Sequence, residues 1–363
     1  MLMAKTADYD LGPFTYPRGW LMVAASETIT SEPSEARFFG EDVVLYRGAS
    51  GRAVMLDAYC PHMGAHLAVG AMGATARHGV QVEGDMIRCP NHGWLFGPDG
   101  RCARIPYSSM PIPSTLGVRS WRLEERAGCV FVWHDPEGGE PTYALPEFAE
   151  WNDPRWIRWT IGEFETMNVH PIELAEHGVD KIHLANVHGA DRIVGHKVIF
   201  DRHTATTTSV TRSVADDGTV AGSYVAHSRY TGPALLLAEI EGERPAVLLF
   251  CHTPVDDGSL RAFHGVMMRA KGDVITSEDR EVCRAFCEQN LCLFEQDMAI
   301  FRRKRPTLRA VQIPGDGPFR RYRQWYRQFY APRSEVAAIQ RDTDGSVATD
   351  ASYDAPWVRA GSP

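Results

Sequence analysis

The sequence predicts an α+β chain in two parts, an all-β N-terminal part and then long antiparallel strands combined with one long helix. Three observations predict it. Residues 17–135 hold short β runs between Gly and Pro turns. The stretch DPEGGEPTYALPEF (135–148) is polar and rich in Gly and Pro, as a linker is. Beyond it the pattern changes, with a helical stretch, long alternating runs and a strong helix. A chain of 363 residues is long enough for two domains, and the linker places them at 17–135 and 136–363.

In the first part, VVLYRG (43–48), AVMLDAY (53–59), MIRCP (86–90) and CVFVWHD (129–135) carry the β-branched and aromatic residues of strands. GPDG (97–100) is a hairpin signal. In the second part, 170–189 is expected to be helical and 197–268 alternates as long antiparallel strands. A strong helix is predicted over 276–304. It starts at Thr276 or Ser277 with acids in its first turn and ends in the basic run RRKR, which complements the helix dipole at both ends.

Composition excludes several classes of partner. The chain is 44% hydrophobic and 23% charged, the balance of a soluble globular protein. A net charge of −8 argues against nucleic acid or an anionic membrane as a general partner. The longest apolar runs, ALLLAEI (234–240) and AVLLFC (246–251), have strand length, so no membrane span is expected. The opening MLMAKTADYD lacks the apolar core of a signal peptide. Of the eight Cys, six (Cys102, Cys129, Cys251, Cys283, Cys287, Cys292) show no disulfide-framework spacing and read as buried small hydrophobes. A cytoplasmic protein is expected.

The chemistry starts with Cys60-Pro-His62 and Cys89-Pro-Asn-His92. Two thiolates and two imidazoles, in a C-x-H half and a C-x-x-H half, are what a Rieske [2Fe–2S] centre needs. One iron takes both Cys and the other both His. A structural zinc site uses the same four donor atoms and is the alternative. The flanks CPHMGAHL and CPNHGWLFGPDGRC resemble the two Rieske cluster loops, including a Gly after each ligand pair and a Trp after the second, and this resemblance favours the cluster. The stretch between the halves is longer than usual in such domains. The excess fits a Gly- and Ala-rich surface loop around 68–85, and neither His66 nor His78 is assigned a role.

A second metal site is expected downstream. In EHGVDKIHLANVH (176–188), Asp180 and His183 are three apart and share a helix face. His188 lies five residues after His183, so a local bulge or helix end is needed to bring both imidazoles to one metal. On the long helix, Asp297 falls on the apolar face with Phe286, Leu293, Ile300 and Phe301, whereas Glu295 lies off it. A carboxylate on an apolar stripe is costly unless paired or bound to metal. His183, His188 and Asp297 then match the two-His, one-carboxylate set of non-haem Fe(II) oxygenases, with positions open for O2.

With both sites in place, the chain resembles the oxygenase (α) component of Rieske non-haem iron oxygenases over nearly its full length. Within that family it is most similar to the 3-ketosteroid 9-alpha-hydroxylase and cholesterol 7-desaturase branch, through IELAEHGVDKIHLANVHG (172–189) and FRRYRQWYRQFYAPR (319–333). One departure is His177, where the family usually places Asn close to the iron. The resemblance implies a Rieske domain followed by a helix-grip catalytic domain, in which a curved antiparallel sheet wraps the Asp297 helix. It further implies a head-to-tail homotrimer in which Asp180 bridges a cluster His (His62 or His92) of one subunit and His183 of the next. The implied function is monooxygenation of a steroid-like hydrophobic substrate with O2, the electrons coming from NAD(P)H. The chain has no G-x-G-x-x-G unit, flavin site or ferredoxin Cys run, so a separate reductase must deliver them. An aromatic-ring dioxygenase or an O- or N-demethylase would use the same metals. A Rieske electron carrier is the alternative of another class, and it has no need of residues beyond about 135. The pocket is expected to be lined from strands at 221–268 and from around Val179 and Ile182.

Overall fold

The computed structural model describes residues 4–69, 81–215, 219–313, 315–349 and 352–355. The chain divides into two compact units, Leu21–His134 and a larger one that joins the segment up to Trp20 to Asp135–Pro363. Residues 17–20, which the sequence reading grouped with the β-rich part, lie in the larger unit. The reason is local. Arg18 is buried there, and its guanidinium donates to Asp135 Oδ1 (2.9 Å) and to Ala331 O (3.1 Å).

The smaller unit is built on three small antiparallel sheets. One holds β1 (Gly19–Ala25), β9 (Leu123–Arg126) and β10 (Cys129–His134) in the order β1-β10-β9. A second is β2 (Ser34–Phe38), β3 (Glu41–Arg47) and β4 (Ala53–Asp57). The third is β5 (Val82–Glu83), β6 (Met86–Arg88), β7 (Leu95–Phe96) and β8 (Cys102–Arg104). GPDG turns β7 into β8, with Gly97 N–H donating to Arg101 O (2.9 Å). Gly100 is left-handed (φ 79°), and a Cβ there would meet Val118 O at 2.1 Å, so only glycine fits. Val44, Tyr46, Leu56, Ile87 and Phe96 form the core, and Cys60, Cys89 and Trp94 are part of the same cluster. Residues 70–80 of the loop expected at 68–85, His78 among them, lie outside the described residues. His66 is half-buried, its Nδ1 accepting from Ala68 N–H (3.1 Å).

The larger unit is dominated by one ten-stranded antiparallel sheet. After the short helix α1 (Ala149–Asn152) come β11 (Trp156–Ile157), β12 (Gly162–Met167), β13 (Arg192–Asp201), β14 (Thr204–Val214) and β15 (Val220–Thr231). They are followed by β16 (Leu235–Ile240), β17 (Ala246–Pro254), β18 (Leu260–Arg269), β19 (Gly345–Ala348) and β20 (Tyr353–Asp354). The strand path runs β11-β18-β17-β16-β15-β14-β13-β19, so consecutive strands pair as hairpins through the middle of the sheet. Between β12 and β13 lie α2 (Pro171–Ala175) and α3 (His183–Asn186), and after β18 comes the long helix α4 (Ser277–Phe301). Thr276 caps α4 as its side chain accepts from Asp279 N–H (3.1 Å) while Asp279 returns a carboxylate to Thr276 N–H (2.9 Å). Phe301 and Met298 pack with Phe250, Leu260 and Ala262 of β17 and β18, while Cys283 packs with Leu248 and Val266. The helix ends three residues before the expected 304, leaving the basic run just past its last turn. Ile300, expected inside, is exposed at 47%, and Cys292, expected buried, is exposed as well.

The C-terminal helices α5 (Phe319–Tyr326) and α6 (Arg333–Thr343) complete this unit. Tyr322, Trp325, Tyr326 and Tyr330 are fully buried against Ile172, Ala175 and Val179, the segment that carries the expected metal ligands. Burying each such aromatic contributes about 1.5–3 kcal/mol, so the aromatic ending is what holds that segment in place. Two acids of the same segment are buried as well. Glu176 receives a two-pronged hydrogen bond from Arg323 (2.6 and 2.8 Å), and Glu173 is paired with Lys304 (2.9 Å) and Tyr9. Removing one partner of a buried pair leaves an uncompensated charge, which typically costs about 3–5 kcal/mol. Arg323→Ala is therefore expected to lower unfolding stability by that amount in denaturant titrations, and Arg323→Ala with Glu176→Gln to recover part of it. A loss of only about 1 kcal/mol would put this pair among ordinary surface bridges.

Candidate metal centres

The two Cys–His loops are tight turns of one design. Cys60 N–H donates to Ala65 O (2.9 Å) and Gly64 N–H returns to Cys60 O (2.9 Å). Cys89 N–H donates to Trp94 O (2.8 Å) and Gly93 N–H returns to Cys89 O (3.0 Å). Each turn closes on a left-handed glycine, Gly64 at φ 72° and Gly93 at φ 71°. Both thiols thus point into the core while the imidazoles sit further out, with His62 exposed and His92 half-buried. Their ring centroids are 4.6 Å apart, and His62 stacks on Trp94 at 4.5 Å. The Trp94 indole N–H in turn donates to the Tyr107 hydroxyl (2.8 Å).

Both cysteines are free. Burial, reinforced by the neighbouring Cys89, pushes the Cys60 thiol up to about 11, against backbone N–H groups of His62 and Met63 that pull it down. Two free thiols side by side in the core, with two imidazoles on the outer edge, form a donor set that suits a Rieske cluster.

The second site differs locally from its sequence reading. The stretch 170–189 is not one helix. α2 passes into a 3₁₀ turn over Glu176–Val179, Asp180 is extended (φ −76°, ψ 117°), and α3 restarts at His183. Asp180 and His183 therefore do not share a helix face. Asp180 instead sits ahead of α3, where its Oδ1 accepts from Ile182 N–H (3.0 Å) and His183 N–H (3.4 Å). Asp favours such turns because its short side chain competes for backbone donors. Its other oxygen, Oδ2, lies 3.9 Å from His183 Nδ1.

α3 ends as the His183–His188 spacing requires. His183 O accepts from Val187 N–H (2.8 Å) and also from His188 N–H (3.3 Å), a contact one residue longer than the α-helical bond. The chain leaves the helix at left-handed Gly189 (φ 73°). This turned end brings the His188 ring edge-on to His183, with centroids 5.1 Å apart.

Asp297 of α4 completes the cluster. Its Oδ2 lies 3.3 Å from His188 Nε2 and its Oδ1 3.2 Å from His177 Nε2. The structure thus brings His183, His188 and Asp297 together and adds His177, which was not expected as a ligand. Donor atoms of His177, His183 and Asp297 lie within 4.8 Å of one another, the one such trio found among the described residues. In the sequence the only signal was His at a position where Asn is usual. Glu295 is exposed.

Electrostatics fit a cation here. Burial raises the Asp297 carboxyl, but hydrogen bonds and charge from His177 and His188 outweigh it and hold it well below the usual carboxylate range. Burial, with His177 and His188 close by, holds His183 well below its ordinary value, hence neutral and able to ligate. Burial opposes protonation of His188, yet Asp297 and Gln296 carry it above its ordinary value. Among the described residues, His183 Nδ1 is buried without a hydrogen-bond partner, so that nitrogen is not spent on holding the fold. Imidazoles with one carboxylate suit a first-row metal such as Fe(II).

A cavity of about 520 Å³ opens from this cluster. Leu236, Ala238, Ile240, Leu248 and Phe250 line one side, and Phe286, Leu293, Phe294 and Phe301 of α4 line another. ALLLAEI and AVLLFC supply inward residues, as expected. Strands β13 and β14 also contribute, which the sequence reading missed, through His196, Thr207, Ser209, Thr211 and Ser213. Val179 belongs instead to the aromatic core, and the neighbouring His177, Gly178 and Asp180 face the cavity.

Comparison with known proteins defines the class. Residues 19–121 match the Rieske [2Fe-2S] domain, and residues 132–330 match the 3-ketosteroid 9alpha-hydroxylase C-terminal domain. Among similar proteins is a probable 3-ketosteroid-9-alpha-monooxygenase oxygenase component of Rhodococcus rhodochrous, 32% identical over 92% of this chain and 84% of that one. Cholesterol 7-desaturase of Xenopus laevis is 28% identical over 91% of this chain and 75% of that one. The crystal structure of dicamba monooxygenase with non-heme iron and dicamba has the same fold, with a TM-score of 0.66 and 21% identity over 89% of this chain and 98% of that one. The protein is a Rieske oxygenase, and its N-terminal part is a Rieske [2Fe-2S] domain. It belongs to the 3-ketosteroid 9alpha-hydroxylase family, which sets aside the structural zinc site and the stand-alone electron carrier.

Proposed function

We propose that this chain is the terminal oxygenase component of a monooxygenase that hydroxylates or desaturates a steroid-like hydrophobic molecule. The observation that carries the substrate class is the apolar cavity running from the His183–His188–Asp297 cluster between sheet and α4. Its volume of about 520 Å³ is within the range of pockets that enclose a ligand of that size. Cys60, His62, Cys89 and His92 would hold the cluster, and His183, His188 and Asp297 the mononuclear iron. When bound, the cluster supplies single electrons and the iron activates O2 beside the substrate. The protein does the rest. Its apolar walls exclude water and orient the molecule, and the hydroxyls of Thr211, Ser213 and Ser228 offer hydrogen bonds to oxygen functions of the substrate.

Electrons from NAD(P)H arrive through a separate reductase, a reading supported by the naming of the relatives as oxygenase components. A head-to-tail homotrimer places Asp180 between a cluster His of one copy and His183 of the next. A cytoplasmic location is consistent with the free cysteines. Among the described residues, no helix is long and apolar enough to cross a membrane.

The test is an O2-uptake and product screen with a reductase present. A 3-ketosteroid such as androstenedione is expected to bind, stimulate cluster reoxidation and yield a monohydroxylated or desaturated product. Turnover of small aromatic acids or N-methyl compounds, with no binding of steroids, would refute the substrate class. A cis-diol product would mark a dioxygenase.

A further inference from the structure

We propose that His177 is a fourth protein ligand of the mononuclear metal, making the site three imidazoles and one carboxylate. This rests on the reading of His183, His188 and Asp297 as metal ligands. The backbone on either side of His177 is fixed. Glu176 is held by Arg323, while Gly178 O accepts from Thr207 Oγ1 (3.1 Å) and Gly178 Cα packs so closely on Tyr230 that a Cβ would meet the ring at 2.9 Å. The imidazole between them is aimed at His183 and Asp297. Its centroid is 3.9 Å from that of His183, and its ring stands edge-on to Phe301 at 5.1 Å.

Its Nε2 addresses Asp297 Oδ1 at 3.2 Å, much as His188 Nε2 addresses Oδ2 at 3.3 Å. The two imidazoles stand in nearly equivalent relation to one carboxylate. Among the described residues, His177, His183 and Asp297 form the one donor trio within 4.8 Å, so a cation bound by His183 and Asp297 has the His177 ring beside it. A third imidazole adds a donor without adding a negative charge. It tightens binding of late first-row divalent ions and, in a six-coordinate site, leaves two positions open instead of three.

The test uses full-length protein stripped of mononuclear iron with its Rieske cluster retained, titrated with Co(II). Absorption at the cobalt K-edge counts imidazoles without interference from cluster iron. Three imidazoles are expected in the wild type and two in His177→Asn, with a Kd for Co(II) at least tenfold weaker in the variant. Two imidazoles in the wild type would overturn the proposal even if the variant bound cobalt less tightly, because His177 would then act only through its hydrogen bond to Asp297. The wild-type count needs no variant, so poor folding of His177→Asn leaves the test intact. Asp297→Ala separates the two readings. If it bound Co(II) like the wild type, the underlying metal site would fall, whatever the imidazole count.

Discussion

Asp297→Ala is expected to lose its mononuclear iron and more than about a hundredfold of its product-forming rate, while the Rieske electron paramagnetic signal stays unchanged. Losing an outer partner of a metal ligand typically costs ten- to a hundredfold, and losing a ligand itself costs more. Asp297 is the only carboxylate in the compact donor trio among the described residues, and Glu295 is exposed and cannot replace it. The substitution also strands two imidazoles, since Asp297 answers both His177 and His188. The cluster should be indifferent, because its two loops and their core belong wholly to Leu21–His134. Iron per chain and the reduced-state spectrum check both halves of this result. Wild-type turnover in the variant would show that Asp297 is not the carboxylate ligand.

What the sequence made legible follows from how local each signal is. The Cys60–His62 and Cys89–His92 loops were readable because turn, ligands and closing glycine lie within a few consecutive residues. The cap of α4 was readable for the same reason, with Thr276 and Asp279 three residues apart. The stretch 170–189 was misread as one helix. Its break at Asp180 is set by tertiary packing, through Val179 in the aromatic core and a close approach of Gly317, where a Cβ would meet Val179 O at 1.6 Å. Ile300 shows the limit of a helical stripe, since it lies three residues from buried Asp297 and is itself exposed. His177 could not be placed from spacing alone. Its role depends on a 3₁₀ turn that redirects one side chain toward a helix 120 residues away.

Asp180→Asn is expected to keep both metals and yet slow cluster reoxidation by O2 and substrate ten- to a hundredfold or more. The argument turns on acceptor count. Asp180 uses Oδ1 to accept the backbone N–H groups of Ile182 and His183, and presents Oδ2 toward His183 Nδ1 at 3.9 Å. Asn has one acceptor oxygen. Spent on the backbone, it leaves an NH2 group facing the imidazole, and turned to the imidazole, it leaves the N–H groups of Ile182 and His183 without that acceptor. The fold favours the first arrangement, because a backbone donor left unpaired typically costs about 1–3 kcal/mol. The Asp180 side chain is 27% exposed, so it is open to a neighbouring copy, as the proposed bridging between subunits requires. Reduction of the cluster by the reductase should therefore remain normal in rapid mixing, while its reoxidation stalls. Normal reoxidation would remove Asp180 from the electron path. A fall in mononuclear iron content would show instead that the carboxylate serves to position His183.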